Sequence, residues 1–340
     1  MHYRLSQFTW TVTSSVVGAW LWVQPSLAQV IPDDTLPVGE RSQVTGDPDF
    51  QIDGGAQRGG NLFHSFSQFS VPTGGSAFFN NAANVQTIFS RVTGGSISNI
   101  DGVIRANGTA NLFLLNPNGI LFGPNASLNI GGSFAATTAR AIGFSNGEVF
   151  SSDPTQPLPS QLLTVNPNAL FFNQTPQPIV NQSTFNGSGL QVPLRQNLLL
   201  VGGSVQFDNG RVASPGSYVE VGSVGGIGTV GLTTISPDWQ LTIPDGVARA
   251  DVSLLNDSRI NVLAAEGGSV AIAARNLSLN RRSRVRVGIE SDEGFADAQT
   301  GGIQIDVTDT INLETRATLR IEVLPGGQGH VGDMTLNTGS

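Results

Sequence analysis

A chain of 340 residues that is 39% hydrophobic and only 12% charged is long enough for one large core or two ordinary ones, which excludes a disordered acidic tail. Glycine supplies 42 residues, nearly twice its ordinary usage, while charge stands at about half its ordinary share, a pairing that points to short strands joined by tight turns. The 17 basic residues, all arginine, face 25 acidic ones for a net charge of −8, which argues against a nucleic-acid partner, and the absence of cysteine removes disulfides, thiolate metal sites and cysteine nucleophiles.

The first 28 residues read as a secretory signal peptide. Positive charge lies early, at Arg4; an apolar core follows at Val16–Val23; and Pro25-Ser26-Leu27-Ala28 offers small residues for cleavage after Ala28. That core is far shorter than the roughly 20 residues a spanning helix needs, so no stable membrane span is expected. The exported chain then begins near Gln29 in an oxidising compartment, held together without covalent staples.

Beyond residue 30 no window carries a 3.6-residue apolar period. Runs such as Asn61–Val71 and Asn111–Leu115 are aromatic or leucine-rich and bounded by Gly, Asn and Pro, as strands are. The proline-rich stretch Ser151–Ser160 and the polar stretch Asn173–Asn186 read as excursions from a regular scaffold.

The C-terminal part repeats itself. Gly267–Leu279 aligns with Gly301–Leu313 at a shift of 34 residues, and Val331–Asn337 opens a third copy. Each copy alternates apolar and polar residues, and none could bury its apolar face alone; stacked coils of a parallel β-helix solve that problem. Asn beside Gly in the turns suits both left-handed backbone and stacked amide ladders. The sequence stops inside a repeat at Leu336-Asn-Thr-Gly-Ser340, which raises the expectation of further coils downstream.

Residues 61–144 hold an ordered series of words: Phe66-Ser-Gln-Phe-Ser-Val71, Phe79-Asn-Asn81, Ile88-Phe-Ser-Arg-Val-Thr-Gly-Gly95, Ile100-Asp-Gly-Val-Ile104, Asn111-Leu-Phe-Leu-Leu-Asn-Pro-Asn-Gly-Ile-Leu-Phe-Gly123 and Gly132-Ser-Phe-Ala-Ala-Thr-Thr-Ala139. Together they resemble the filamentous haemagglutinin N-terminal domain, the two-partner secretion (TPS) domain of Gram-negative exoproteins. With a weaker extension to about residue 205, the resemblance covers roughly half the chain. It implies an all-β, right-handed parallel β-helix with an N-terminal cap. It also implies periplasmic recognition by the soluble domains of a cognate outer-membrane barrel transporter, then passage to the cell surface or extracellular space. The implied division is signal peptide 1–28, secretion domain 29–205 and β-helix repeats 206–340.

Asn116-Pro117-Asn118-Gly119-Ile120 matches the family's Asn-Pro-Asn-Gly signature. The second Asn-Pro-Asn, at 166–168, departs from the family's other signature because Ala169 follows it. Read from its residues, 116–119 is a β-turn: Pro fixes φ at the second position, Asn suits the third, and Gly accepts positive φ. A folding turn and an exposed element read by the transporter are both open, the folding turn being favoured.

Chemical motifs are sparse. Gly226–Gly231 satisfies GxGxxG, but the Leu-Thr-Thr-Ile-Ser-Pro that follows is poor material for a phosphate-binding helix. Gly143–Gly147 satisfies GxSxG around Ser145 without a following helix. His64 and His330 lack companions for a metal site, and Gly326–Asp333 has Val331 where a calcium nonapeptide needs aspartate. No cofactor, metal ligand or catalytic residue is therefore assigned. Asp245, Asp251 and Asp257 keep a carbohydrate-active β-helical enzyme open as the rival, since such chemistry needs converging carboxylates. Arg281–Arg286 is the one basic cluster; alternation places Arg282, Arg284 and Arg286 on one face, as a solvated face that discourages edge pairing or as a site for an acidic ligand. The function expected is that of a non-enzymatic exoprotein, an adhesin by family resemblance or a passive surface or matrix protein, with surface glycans or proteins of a host or neighbouring cell as its targets.

Overall fold

The structure, a computed structural model, describes residues 29–156, 160, 164–235 and 238–339; the expected signal peptide lies outside the described residues. The chain winds into a right-handed parallel β-helix. One long sheet stacks the parallel strands Asn61–Phe69, Thr87–Val92, Asn111–Leu115, Phe134–Thr137, Asn197–Gly202, Tyr218–Ser223, Ser269–Ala274, Ile303–Val307 and Met334–Thr338. A second face runs from Ser98–Ile100 through Ile120–Phe122, Ile179–Asn181 and Val205–Asp208 to Ile311–Leu313. The third face comprises two sheets, one ending at Ser127–Asn129 and the other built from Arg211–Ala213, Arg259–Asn261, Arg284–Ile289 and Thr318–Val323. Each circuit of three short strands separated by turns makes one coil, so every parallel neighbour is reached by going once around the core.

Alternation along each strand explains the interior. In register, Leu62, Ile88, Leu112, Phe134, Leu198, Val219, Val270 and Ile303 form a continuous apolar column on the inner face of the long sheet. One strand could not shield such a column, but stacked coils bury it from both sides. At the N-terminal end the stack is closed by antiparallel pairing. Val30–Pro32 lies against Asn61–Phe69, and Ser42–Thr45 against Asp49–Gly54, so the first coil presents no free parallel edge.

The outer face of the long sheet is also apolar in its first half, where Phe63, Phe89, Phe113, Ala135 and Leu199 stand in register. This accounts for the run Asn111-Leu-Phe-Leu-Leu115, which does not alternate because both of its faces are buried. The cover is an extra-helical antiparallel sheet of Ala141–Phe144, Val149–Ser151, Pro167–Phe172, Gly228–Ile235 and Asp238–Thr242. Phe63 and Phe89 stack at 5.1 Å, Phe89 and Phe113 at 5.1 Å, and Trp239 caps Phe113 at 4.8 Å. The covering sheet thus draws on residues well beyond 205, and Val205 itself is the first residue of a buried coil strand.

Three expectations need correction. The two aligned repeats pair at a shift of 33 in the long sheet, Val270 with Ile303, and at 34 in the next strand, Leu277 with Ile311. A uniform shift of 34 would set Val270 beside Gln304 and turn one apolar set outward, so an extra residue in the second copy's turn absorbs the slip. The polar stretch 173–186 is not wholly an excursion, since Ile179–Asn181 is a coil strand between Ile120–Phe122 and Val205–Asp208. Three residues are too few for alternation to show. Arg282 precedes the strand Arg284–Ile289 and lies in the turn, so only Arg284 and Arg286 share its outer face.

Among the described residues no helix is long and apolar enough to cross a membrane.

Candidate functional site

Asn116–Ile120 carries the chain around the corner from the long sheet to the second face. Asn116 is fully buried, and its side chain holds the corner together: Nδ2 donates to the Ser96 carbonyl at 3.0 Å and to Ser98 Oγ at 2.9 Å. Its Oδ1 accepts from the backbone and side-chain amides of Asn118, both at 3.0 Å. Asn118 in turn donates from Nδ2 to the Gly94 carbonyl at 2.6 Å, which ties the corner to that of the preceding coil. The Gly119 amide closes the β-turn on the Asn116 carbonyl at 3.2 Å, as Pro at the second position and Gly at the fourth anticipate. Gly119 has φ +113°, where any Cβ would be strained, and the first atom such a Cβ would meet is the Pro178 carbonyl oxygen at 3.3 Å. Ile120 points inward between Ser98 and Ile179. Pro117 is buried and only Asn118 is half-exposed, so little of the motif is offered to solvent.

The second Asn-Pro-Asn has different surroundings. Asn166 and Asn168 are exposed and Pro167 is buried where the chain enters the covering strand Pro167–Phe172, beside Asn61, whose Nδ2 donates to the Val165 carbonyl at 2.9 Å. It makes no corner of the β-helix.

A polar knot beside these corners was not legible as a site in the sequence, although Arg91 stands in one of the ordered words. Arg91 is fully buried beneath the covering sheet. Nε donates to Ser65 Oγ at 2.9 Å, Nη2 to Thr35 Oγ1 at 2.9 Å and Nη1 to the Ser151 carbonyl, while the guanidinium lies over the Phe150 ring at 4.6 Å. Asp33 joins the knot by accepting from Ser65 Oγ at 2.8 Å and Thr93 Oγ1 at 2.5 Å. Burial pushes the Arg91 guanidinium down to about 10, and nearby Asp33 and Asp153 oppose that shift, so it remains charged at neutral pH. One side chain therefore fastens the N-terminal cap, the first two coils and the covering hairpin together. A lone arginine within an apolar run was the available signal, because a buried charge requires partners.

His64, whose facing the sequence leaves ambiguous, points into the core. Its Nδ1 lies 3.0 Å from Ser42 Oγ, and its ring packs 5.4 Å from that of Phe79. Burial pushes its pKa down to about 3, against the pull of Asp53, so the imidazole is neutral. Glu220 continues the outer column next to Leu199, at the limit of the covering sheet, and accepts from the Leu241 amide at 3.0 Å. Burial pushes its carboxyl up to about 8.

The enzymatic motifs do not assemble. Ser145 is an exposed hairpin-turn residue between Ala141–Phe144 and Val149–Ser151, and Gly226–Gly231 runs into the strand Gly228–Ile235, with no helix following either. Asp251 is clamped by Arg275 at 2.9 and 2.8 Å and by Asn276 at 2.9 Å, bonds that hold its carboxyl below the ordinary range. Asp257, which partial burial pushes up, is still held below that range by Arg259 and Arg284. The two carboxyls flank opposite ends of the strand Val252–Leu255, and neither is raised as a general acid requires. Among the described residues no group of three or more His, Asp or Glu is placed to hold a metal ion.

Comparison with known proteins agrees with this architecture. The family model described as the TPS secretion domain matches residues 28–272. A sequence search of curated proteins finds no match. Among solved structures, the HMW1 secretion domain from Haemophilus influenzae is similar at 16% identity and a TM-score of 0.51, covering 92% of this chain and 82% of that one. At that identity the likeness speaks for the fold. The filamentous hemagglutinin secretion domain aligns at 15% identity and a TM-score of 0.40, over 91% of this chain and 99% of that one. With its model matched over residues 28–272, well over half of its length, the chain belongs to the TPS secretion domain family.

Proposed function

We propose that this chain is a non-enzymatic exoprotein whose secretion domain is engaged in the periplasm by the recognition domains of a cognate outer-membrane barrel transporter, and which then passes to the cell surface or extracellular space. Residues 1–28 serve as its signal peptide. The observation that carries this reading is the family match over residues 28–272. An adhesive role at the surface is the finer part of the reading; it draws on the family resemblance of residues 61–144 and on the long, repeat-built flank that follows.

Within this reading Asn116–Ile120 acts through folding. A corner whose asparagine is fully buried and whose amide satisfies both its own coil and the preceding one has little surface to offer a transporter once folded. On this reading the export unit extends to the covering strands Gly228–Ile235 and Asp238–Thr242, whose Trp239 stacks on Phe113 at 4.8 Å. The 29–205 boundary stays a proposal: it marks where the family's sequence words end, and a chain ending at Val205 tests whether that piece stands without Trp239.

The test is binding. The mature chain, and shorter chains ending at Val205 and at Ile272, are presented to the purified periplasmic domains of the transporter. Retention of the mature chain and of the chain ending at Ile272 is expected. Failure of both to bind would contradict the reading.

A further inference from the structure

Eight of the 17 arginines gather at one corner of the C-terminal coils and on the strand face that leaves it. On the outer side of the third-face sheet, Arg211, Arg259 and Arg284 are register neighbours, and Arg286 and Arg320 form a second row. At the corner itself Arg281, Arg282 and Arg316 are exposed.

Two features of this arrangement work against stability. Like charges directly opposite one another on adjacent strands repel. Asp257 is shared by three guanidiniums, Arg259 at 2.7 Å, Arg284 at 3.4 Å and Arg211 at 3.8 Å, and Glu322 by two, Arg286 at 2.7 Å and Arg320 at 3.9 Å, so both rows keep excess positive charge on a chain of net charge −8. The corner turns also repeat a pair of left-handed residues in each coil, Asn256 and Asp257, Arg281 and Arg282, Thr315 and Arg316, with φ between +47° and +68°. Asn and Asp visit that region readily; arginine does not. Protection of a sheet edge does not explain the rows, because Arg259 and Arg284 lie on strands that are paired on both sides.

At the corner an open, shallow notch of about 640 Å³ is lined by Asn256, Asp257, Arg281, Arg282, Thr315 and Arg316. We propose that the notch and the arginine rows beside it bind a linear acidic polysaccharide. Its carboxylates or sulfates lie on the guanidiniums, and its hydroxyls bond to Asn256, Asp257 and Thr315. From Arg211 to Thr318 there are three inter-coil steps of about 4.8 Å each, a straight track suited to a chain with regularly repeated charge. A DNA backbone fits less well. It presents acceptors only, which the Asp257 carboxylate would repel, and the notch has no aromatic side chain on which a base could stack. The binding chemistry does not depend on the export route; only an encounter with the glycan outside the cell rests on the function proposed above.

The test uses the purified mature chain with three probes: polygalacturonate fragments, heparin fragments and duplex DNA of matched length. Binding to either polysaccharide is expected, the uronate or the sulfate arm naming the anion preferred. The double variant R282N/R316N, with asparagine suited to the same left-handed backbone, should weaken that binding at least tenfold and leave the unfolding midpoint unchanged or raised. R105Q, on the strand Val103–Ala106 far along the chain, should leave binding unaltered. Binding to neither polysaccharide, DNA binding as tight as polysaccharide binding, or full affinity in the double variant would each overturn the proposal. None of these results bears on retention by the transporter's periplasmic domains, so failure here is distinguishable from failure of the secretion reading.

Discussion

Replacing Asn116 with alanine removes four hydrogen bonds at one corner, two donated by Nδ2 and two accepted by Oδ1. Not all of them count equally. Ser96 is exposed and Asn118 half-exposed, so water can replace those partners, and each such bond is worth about 1 kcal/mol or less net. Ser98 is fully buried, and leaving its hydroxyl without that partner costs about 1–3 kcal/mol. The expected loss is therefore about 3–4 kcal/mol, a large part of the margin of an ordinary domain and roughly 5–10 °C in midpoint. The chain offers its own probe. Three of its four tryptophans, Trp10, Trp20 and Trp22, belong to the first 28 residues, so a chain that begins at Gln29 has Trp239 alone, stacked on Phe113 three residues before Asn116. Urea unfolding followed by Trp239 emission should show the midpoint fall, with circular dichroism losing strand signal in the same transition. An N116A protein within 1 kcal/mol of wild type would refute the claim that the amide organises the corner. If that same protein failed to bind the transporter's periplasmic domains, the motif would be a recognition element instead.

Gly119→Val should lower the midpoint too, because φ +113° strains any β-branched residue by about 1–3 kcal/mol, whereas Gly95→Ala, in open space one coil earlier, should change little; equal midpoints for the two variants would count against the turn geometry. For His64 the folded pKa lies below the unfolded one, so its contribution is complete above about 6.5 and drains away as pH falls toward 3; wild type should lose about 2 kcal/mol between pH 7 and pH 5 relative to His64→Leu, and parallel pH profiles would contradict its burial as the neutral form. Glu220 runs the opposite way, since its folded pKa is raised: stability present below about 4.5 is lost as pH rises through about 8, and Glu220→Gln should flatten that alkaline loss in a melting series from pH 5 to 9.

How much of this was legible beforehand depended on what each residue's neighbours were. The β-helix followed from copies such as Gly267–Leu279, whose alternation demands a stack, and from turn chemistry at Asn116–Gly119 that needs no distant partner. The cap is implied by the family resemblance, but the covering sheet and the polar knot are not legible. Arg91 bonds to Thr35 and to Ser151, 56 and 60 residues away, and Trp239 finds Phe113 across more than a hundred, separations that no local period reports. The 33-residue register of Val270 with Ile303 is hidden in the sequence for a related reason: the glycine pairs at 267 and 301 align by identity, while the core selects by facing. Asn116–Ile120 and Asn166–Asn168 share a word but differ in burial, which only the folded coil distinguishes.

The central claim is that this chain is a two-partner secretion exoprotein, and export measured directly tests it. The full sequence is expressed in Gram-negative cells with and without its cognate barrel transporter, and Trp239-bearing protein is quantified in the periplasm, on the cell surface and in the medium. Surface or medium protein only when the barrel is present, with periplasmic accumulation and degradation when it is absent, is the predicted result. Equal export with and without the barrel, or retention in the periplasm in both cases, would contradict it.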